Sequence, residues 1–289
     1  MANGYIEVRI RSSVDAGELI GMLDDPACLG ALEREDGVHL YWRKETWHAG
    51  VLQDLLIVLR RLGVTDLAGE PAVSELADQD WNERWARSLQ PIRLGKCILV
   101  RQSWNSAPVS DGGFELVIDP KRAFGTGYHE TTQLMASWLE EVILGAERVL
   151  DVGTGSGILA MAALRLGASY ALGIDHDPEA IECAREYATV NGFGAELGLR
   201  IATPEDLGPE RFDLVLANLD RNALLGCLAD FRRHVSAGGR LLISGLQTGD
   251  EQDISNAAAE AGWRIHACRN RGDWLALELW PLQRKTSRF

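Results

Sequence analysis

Residues 151–157, Asp-Val-Gly-Thr-Gly-Ser-Gly, constrain the fold of this chain more than any other segment. They follow the apolar run Val149–Val152 and open a second apolar run, Ile158–Leu166. Glycines at 153, 155 and 157 let the backbone reverse tightly and let a ligand approach the unpaired N–H groups of a helix start. From Arg148 onward, strand-like and helix-like segments alternate, the signature of a parallel α/β sheet. The strands fall at Val149–Val152, Ala171–Ile174, Leu199–Ile201, Leu214–Ala217 and Leu241–Ser244. Helices fit between them at Ile158–Leu166, Pro178–Val190, Ala223–His234 and Glu251–Ala261. Trp263–Cys268 and Trp274–Leu279 flank Arg271-Gly272-Asp273 and read as a hairpin, an antiparallel element ending a mostly parallel sheet.

The chain has 289 residues, enough for about two domains. Residues 1–78 form a candidate small unit. Tyr5–Ile10 alternates apolar and charged residues as a half-buried strand does. Asp15 can cap a short helix bearing Leu19, Ile20 and Leu23, Val38–Trp42 is a second strand, and Trp47–Leu62 is a helix stopped at Leu62-Gly63. That order predicts a small ferredoxin-like α+β domain. Residues 79–95 read as a connector, in which Trp81 and Trp85 sit one helical turn apart for packing on a neighbour. Residues 96–289 form the larger domain, beginning with two strand-like runs, Ile98–Val100 and Phe114–Ile118, around a Ser/Pro/Gly-containing turn.

Charge narrows the partners. With 42 acidic and 29 basic residues, the formal charge is −13, which argues against a general nucleic-acid binder and favours a basic partner, although a locally basic patch remains compatible with it. The longest uncharged stretch, Val152–Leu164, is too short to cross a bilayer, and Met1–Tyr5 opens no signal peptide, so a cytoplasmic protein without membrane contact is expected. Five scattered cysteines without a Cys-x-x-Cys pair suggest neither zinc nor disulfides, and the histidines show no metal-ligand spacing.

The spacing within the glycine loop then bears on its ligand. Gly-x-Gly-x-Gly differs from the Gly-x-Gly-x-x-Gly of dinucleotide folds, and Ile158 stands where the third glycine of that pattern would fall. Asp151 would repel a pyrophosphate and tolerate an ammonium. Asp175, ending the second strand, can accept both hydroxyls of a ribose. A ribose without pyrophosphate, together with an ammonium, describes S-adenosylmethionine better than NAD. Glu205-Asp206 follows the third strand, where a loop can reach an adenine or simply face solvent. Asp177-Pro178 reads as a helix cap followed by a first-turn proline. Asn218, ending the fourth strand, can present a substrate amine through its side chain and backbone carbonyl, or cap the helix that follows. A second glycine loop, Ala123-Phe124-Gly125-Thr126-Gly127-Tyr128-His129-Glu130-Thr131-Thr132, leads into a helix just before the sheet.

Together these segments resemble the class I S-adenosylmethionine-dependent methyltransferases, with their Rossmann-like sheet. More closely they resemble the PrmA family, which methylates amino groups of protein eleven of the large ribosomal subunit. The resemblance runs through Asp80–Trp85, Gln90–Lys96, Asp119-Pro120, Ala123–Gly127, His129, Thr131-Thr132, Asp151–Leu159, Gly173–Asp175, Asp177-Pro178 and Ala217-Asn218. It implies that Thr132, Gly153, Asp175 and Asn218 contact the cofactor. Phe124, Gly125, Thr126, Gly127, Asp151, Gly155 and Glu205 are further candidates around it. It also implies that the small N-terminal domain recognises the substrate.

The family usually has Thr and Pro where this chain has Tyr128 and Glu130, and Ile-Leu-Ala where Leu219-Asp220-Arg221 stands. Asp220 and Arg221 thus put charge beside the expected amine entrance. His129 is either a general base or a structural member of its loop. The expected activity is methyl transfer from S-adenosylmethionine to lysine or N-terminal amines of a large-subunit ribosomal protein, with Asn218 orienting the nitrogen. A methyltransferase of the same fold acting on another protein amine, a cofactor-binding module without turnover and a dinucleotide oxidoreductase are the alternatives.

Overall fold

The computed structural model describes residues 4–282 apart from 13, 24, 35, 65–68, 78–88 and 121–124. Two compact units result, Met1–Leu89 and Gln90–Phe289. The tryptophan pair of the expected connector and Phe124 lie outside the described residues.

In the first unit the order is β1 (Gly4–Ile10), α1 (Ala16–Leu23), β2 (Cys28–Arg34), β3 (Gly37–Arg43), α2 (Gly50–Arg61) and β4 (Ala72–Ala77). The strands lie β2-β3-β1-β4 with every pairing antiparallel, a split βαβ arrangement. Val8, Leu19, Leu40, Trp42, Leu55 and Leu59 are fully buried between sheet and helices. The buried indole of Trp42 donates to Asp25 Oδ2 at 2.8 Å, so its polar atom is satisfied. Neither β2 nor β4 was expected from the sequence. Both are edge strands, and β2 is mostly exposed, so it lacks the apolar alternation that marks β1.

The second unit opens with β5 (Ile92–Arg93), β6 (Ile98–Arg101) and β7 (Phe114–Val117), a small sheet in the order β5-β6-β7. Gln90–Gly95, expected as connector, therefore belongs to the second unit, where Ile92 pairs with Val100. β6 and β7 are parallel, so residues 102–113 return the chain along the strands before it pairs. Asn191 anchors β7: its Oδ1 accepts from Val117 N at 2.7 Å and its Nδ2 donates to Val117 O at 2.9 Å.

There follow α3 (Glu130–Val142), β8 (Arg148–Val152), α4 (Ile158–Arg165), β9 (Tyr170–Asp175), α5 (Pro178–Val190), β10 (Leu197–Ile201), β11 (Phe212–Asn218), α6 (Arg221–His234), β12 (Val235–Gln247), α7 (Glu251–Glu260), β13 (Trp263–Arg271) and β14 (Trp274–Pro281). The sheet order is β10-β9-β8-β11-β12-β14-β13. Pairings from β10 through β12 are parallel, and those of β14 with β12 and β13 are antiparallel. The expected hairpin is present, but only its second strand opposes the sheet, because β14 inserts between β12 and β13. Apolar residues of the strands pack on both faces against the helices, which explains their continuous apolar runs. Strand order reverses between β8 and β11, and the crevice at their carboxyl ends is where ligands of open α/β sheets bind.

Candidate active site

The loop after β8 begins where the strand's last residues are still paired. Gly153, Gly155 and Gly157 all have positive φ, at 69°, 53° and 79°. Side chains are strained in that conformation, so the sequence needs glycine at all three positions. A Cβ at Gly153 would also stand 2.2 Å from Leu219 Cδ2, because Leu219 lies across the loop from the end of β11. Gly157 is the N-cap of α4, so the helix start faces the same crevice.

Below the loop is Asp151, 2% exposed, whose Oδ2 accepts from Thr154 Oγ1 at 2.7 Å. Burial pushes its carboxyl up to about 6, against the hydrogen bonds from Thr154 and the Ala160 backbone. Asp151 therefore braces the loop from inside. Its carboxyl is thus turned into the protein beneath the loop.

Asp175 closes β9 and is also nearly buried. Its Oδ2 accepts from Gly155 N at 3.1 Å and its Oδ1 from Asp177 N at 3.1 Å. Each carboxylate oxygen keeps further acceptor capacity, so Asp175 links the glycine loop to β9 and can still receive hydroxyl donors. Asp177 caps α5 by accepting from Glu179 N at 2.9 Å, with Pro178 in the first turn, as the sequence indicated. Ala202 N donates to Asp175 O at 2.9 Å, bringing in the loop that carries Glu205, an exposed residue of the 3-10 turn Pro204–Asp206. Asp206 is occupied by Thr203, from which it accepts both N–H and hydroxyl bonds.

The second glycine loop meets the first through Ser156, whose hydroxyl donates to Gly125 O at 2.7 Å. A Cβ at Gly125 would stand 2.6 Å from Ser156 Oγ, and Gly127 packs near Ile158. Thr126 is half-buried between them. The chain then enters α3, whose N-cap is His129. Its Nδ1 accepts from Thr131 N at 3.4 Å and lies 2.8 Å from Thr131 Oγ1, and its ring meets Trp274 edge-on at 4.7 Å. One turn on, Thr132 is buried, and its Oγ1 lies 3.4 Å from Asn218 Nδ2.

Asn218 sits opposite Ser244 at the end of β11, and Leu219 N donates to Ser244 O at 3.1 Å. The helix cap considered for Asn218 is supplied instead by Asp220, whose Oδ1 accepts from Asn222 N and Ala223 N at 2.9 and 3.1 Å. Arg221 is held by Asp250 and Asp253. The two charges beside the crevice are thus engaged in local structure. Tyr128, the other departure, accepts from Gln102 Nε2 at 3.0 Å and donates to Gln90 O.

Thr132, Gly153, Gly155, Asp175, Asn218 and the Gly125–Gly127 loop therefore converge on one edge of the sheet. Ser156, Leu219 and Gly245 belong with them and were not expected. A Cβ at Gly245, φ 94°, would fall 2.0 Å from Leu219 O; Gly245 lies at a register shift within β12, and a glycine directly after the expected strand Leu241–Ser244 was the available signal. Among the described residues no cluster of His, Cys, Asp or Glu is placed to hold a metal ion, and no helix is long and apolar enough to cross a membrane.

Comparison with known proteins shows the family. Residues 30–280 match the family model for ribosomal protein L11 methyltransferase (PrmA). The ribosomal protein L11 methyltransferase of Chromohalobacter salexigens is 37% identical over 264 residues, covering 88% of this chain and 86% of that protein. That of Cupriavidus pinatubonensis is 42% identical over 207 residues, covering 71% and 67%. The crystal structure of a ribosomal protein L11 methylase from Lactobacillus delbrueckii subsp. bulgaricus superposes with a TM-score of 0.64 at 31% identity, covering 68% of this chain and all of that one.

Proposed function

The chain belongs to the ribosomal protein L11 methyltransferase family, and from that premise we propose that it binds S-adenosylmethionine in the crevice between β8 and β11 and methylates amino groups of protein L11. The observation that carries this reading is the meeting of Asn218 and Thr132 beside the positive-φ glycine loop, with Asp175 fixed next to it.

The residues fit the cofactor. Asp175 offers carboxylate lone pairs for a ribose diol, and bare backbone at Gly153 and Gly155 admits close approach. Glu205 stands exposed on the loop after β10, from which a carboxylate can reach an adenine. S-adenosylmethionine supplies an electrophilic methyl group on its sulfonium. The protein's task is then chiefly to hold an unprotonated amine in line with it. With Nδ2 committed to Thr132, Asn218 Oδ1 is the acceptor left to take an N–H of the amine, and its backbone carbonyl can take a second. Two such bonds turn the nitrogen lone pair toward the methyl group. His129 already serves α3 as its cap, so the proton passes to water or a carbonyl.

The first unit recognises the substrate in this reading, and the net charge of −13 steers a basic ribosomal protein toward the enzyme. A module without turnover loses its motive, because Asp220 and Arg221 are spent on a helix cap and an ion pair. The test is incubation of purified protein with S-adenosylmethionine and protein L11, followed by mass spectrometry of L11. Mass increments of methyl groups are expected. Binding of S-adenosylhomocysteine with an unchanged L11 mass would leave only the cofactor half of the reading.

A further inference from the structure

At the opposite, amino edge of the large sheet, the starts of β12 and β13 and the end of β14 enclose a second cleft of about 850 Å³. It is lined by Arg211, Arg232, Arg264 and Trp280 and by Ser236–Gly239, where the register of β12 against β11 shifts. Among the described residues no carboxylate lines it. That inverts the character of a chain in which acids outnumber bases by 42 to 29.

Five other arginines of this unit face a carboxylate, Arg101 with Glu115, Arg200 with Glu210, Arg221 with Asp253, Arg240 with Glu278 and Arg269 with Glu141, whereas Arg93, Arg165 and Arg185 bond to neutral oxygens. The cleft arginines are positioned without an acid among the described residues. Arg264 lies 5.1 Å over the ring of Trp280, which is itself stacked on His266 at 4.1 Å. Arg232 lies 5.8 Å over Trp263, and Arg211 Nη1 donates to Val235 O at 2.9 Å. Indole faces hold a guanidinium in place while leaving its N–H donors available.

We propose that this cleft binds the phosphate groups of a nucleotide or RNA chain. Guanidinium forks match phosphate oxygens two at a time, and three of them around a nucleotide-sized cleft make a local anion site. The layering of Arg264 on Trp280 and of Trp280 on His266 favours a nucleotide over an acidic peptide, because a base stacks on the guanidinium plane that the exposed Arg264 presents. Overall negative charge confines such binding to this cleft and keeps the rest of the surface from coating RNA.

The test uses the full chain and a fluorescently labelled single-stranded RNA of about 12 nucleotides, read by anisotropy, with ADP and poly-glutamate as competitors. Binding is expected at low salt, with log affinity falling against log salt at a slope of roughly −2, the value for three phosphate contacts on a single strand. Arg211→Gln, Arg232→Gln and Arg264→Gln combined should weaken it at least tenfold. Arg264→Glu, at an exposed position, should weaken it on its own, and both variants should keep the parental melting temperature. Displacement by ADP identifies a nucleotide site, and RNA binding that ADP does not displace identifies a site for the chain. Parental affinity in both variants, no binding of RNA or ADP by the parent, or equal displacement by poly-glutamate would each overturn the proposal.

Discussion

Asn218 at the end of β11 and Thr132 in the first turn of α3 are 86 residues apart in sequence, and their side chains meet at 3.4 Å. The contact joins the glycine loop that precedes α3 to the strand end that offers the amine acceptor. It also fixes which end of the Asn218 amide faces the crevice.

Removal of that amide should therefore act on rate more than on cofactor affinity. Asn218→Ala is expected to lower the single-turnover rate at saturating cofactor about a hundredfold, or about 2.7 kcal/mol of barrier. Thr132→Val should give a smaller loss of the same kind, since Asn218 remains but its amide is unfixed. Near-parental rates in saturated Asn218→Ala would reduce Asn218 to a cofactor contact.

Asp175→Ala should weaken S-adenosylhomocysteine binding by about 1–3 kcal/mol, as a charged acceptor of hydroxyl donors is lost. The backbone N–H groups of Gly155 and Asp177 lose their partner too, so the cofactor-free protein should also melt lower. Calorimetric titration and thermal unfolding measure the two effects separately. An unchanged dissociation constant would place the ribose elsewhere.

Asp151 predicts a pH dependence. Burial pushes its carboxyl up to about 6 in the folded protein, whereas the unfolded chain releases that proton near 3.8. Between those values the folded state holds more protons, so this group's stabilising contribution is full below about pH 4 and is lost as pH rises through about 6. The span corresponds to roughly 3 kcal/mol. Asp151→Asn keeps the shape and the Thr154 contact but removes the titration, so its stability relative to the parent should improve from pH 4 to pH 7. Parallel stability curves for parent and variant across that range would show that the carboxyl does not titrate there.

His129 separates by substitution. As the cap of α3 it should tolerate Asn, a strong N-cap, with little change in rate, while His129→Ala loses about 1 kcal/mol of stability. A general base would instead lose rate in both variants, with a changed pH–rate profile.

Deletion of Met1–Leu89 tests the division of labour. The second unit has its own buried cores, so cofactor binding should survive while methylation of intact L11 is lost. Full-rate methylation of L11 by the truncated chain would remove the recognition role from the first unit.

Much of this was legible in the residues themselves. The ends of α5, the Asp177 cap with its proline and the glycine turn after β8 follow from propensities that act within one or two turns of chain. The acid at the end of β9 and the amide at the end of β11 were readable because strand ends in an alternating pattern share one edge of the sheet. The edge strands β2 and β4 were not, since a strand buried on little of its surface carries little apolar pattern.

By itself, then, the sequence determined the local elements, the strained glycines and the placement of Asp175 and Asn218 at strand ends. Tertiary structure alone decided that β6 and β7 run parallel, that β14 inserts between β12 and β13, and that Asp220 rather than Asn218 caps α6. It also turned Asp151 inward beneath the loop and gathered three arginines from separate elements into a cleft that no carboxylate lines among the described residues. The physical reason is range. Backbone propensity and capping are settled among neighbours in sequence, whereas strand order, burial of a charge and the meeting of distant side chains depend on which surfaces the whole chain removes from water.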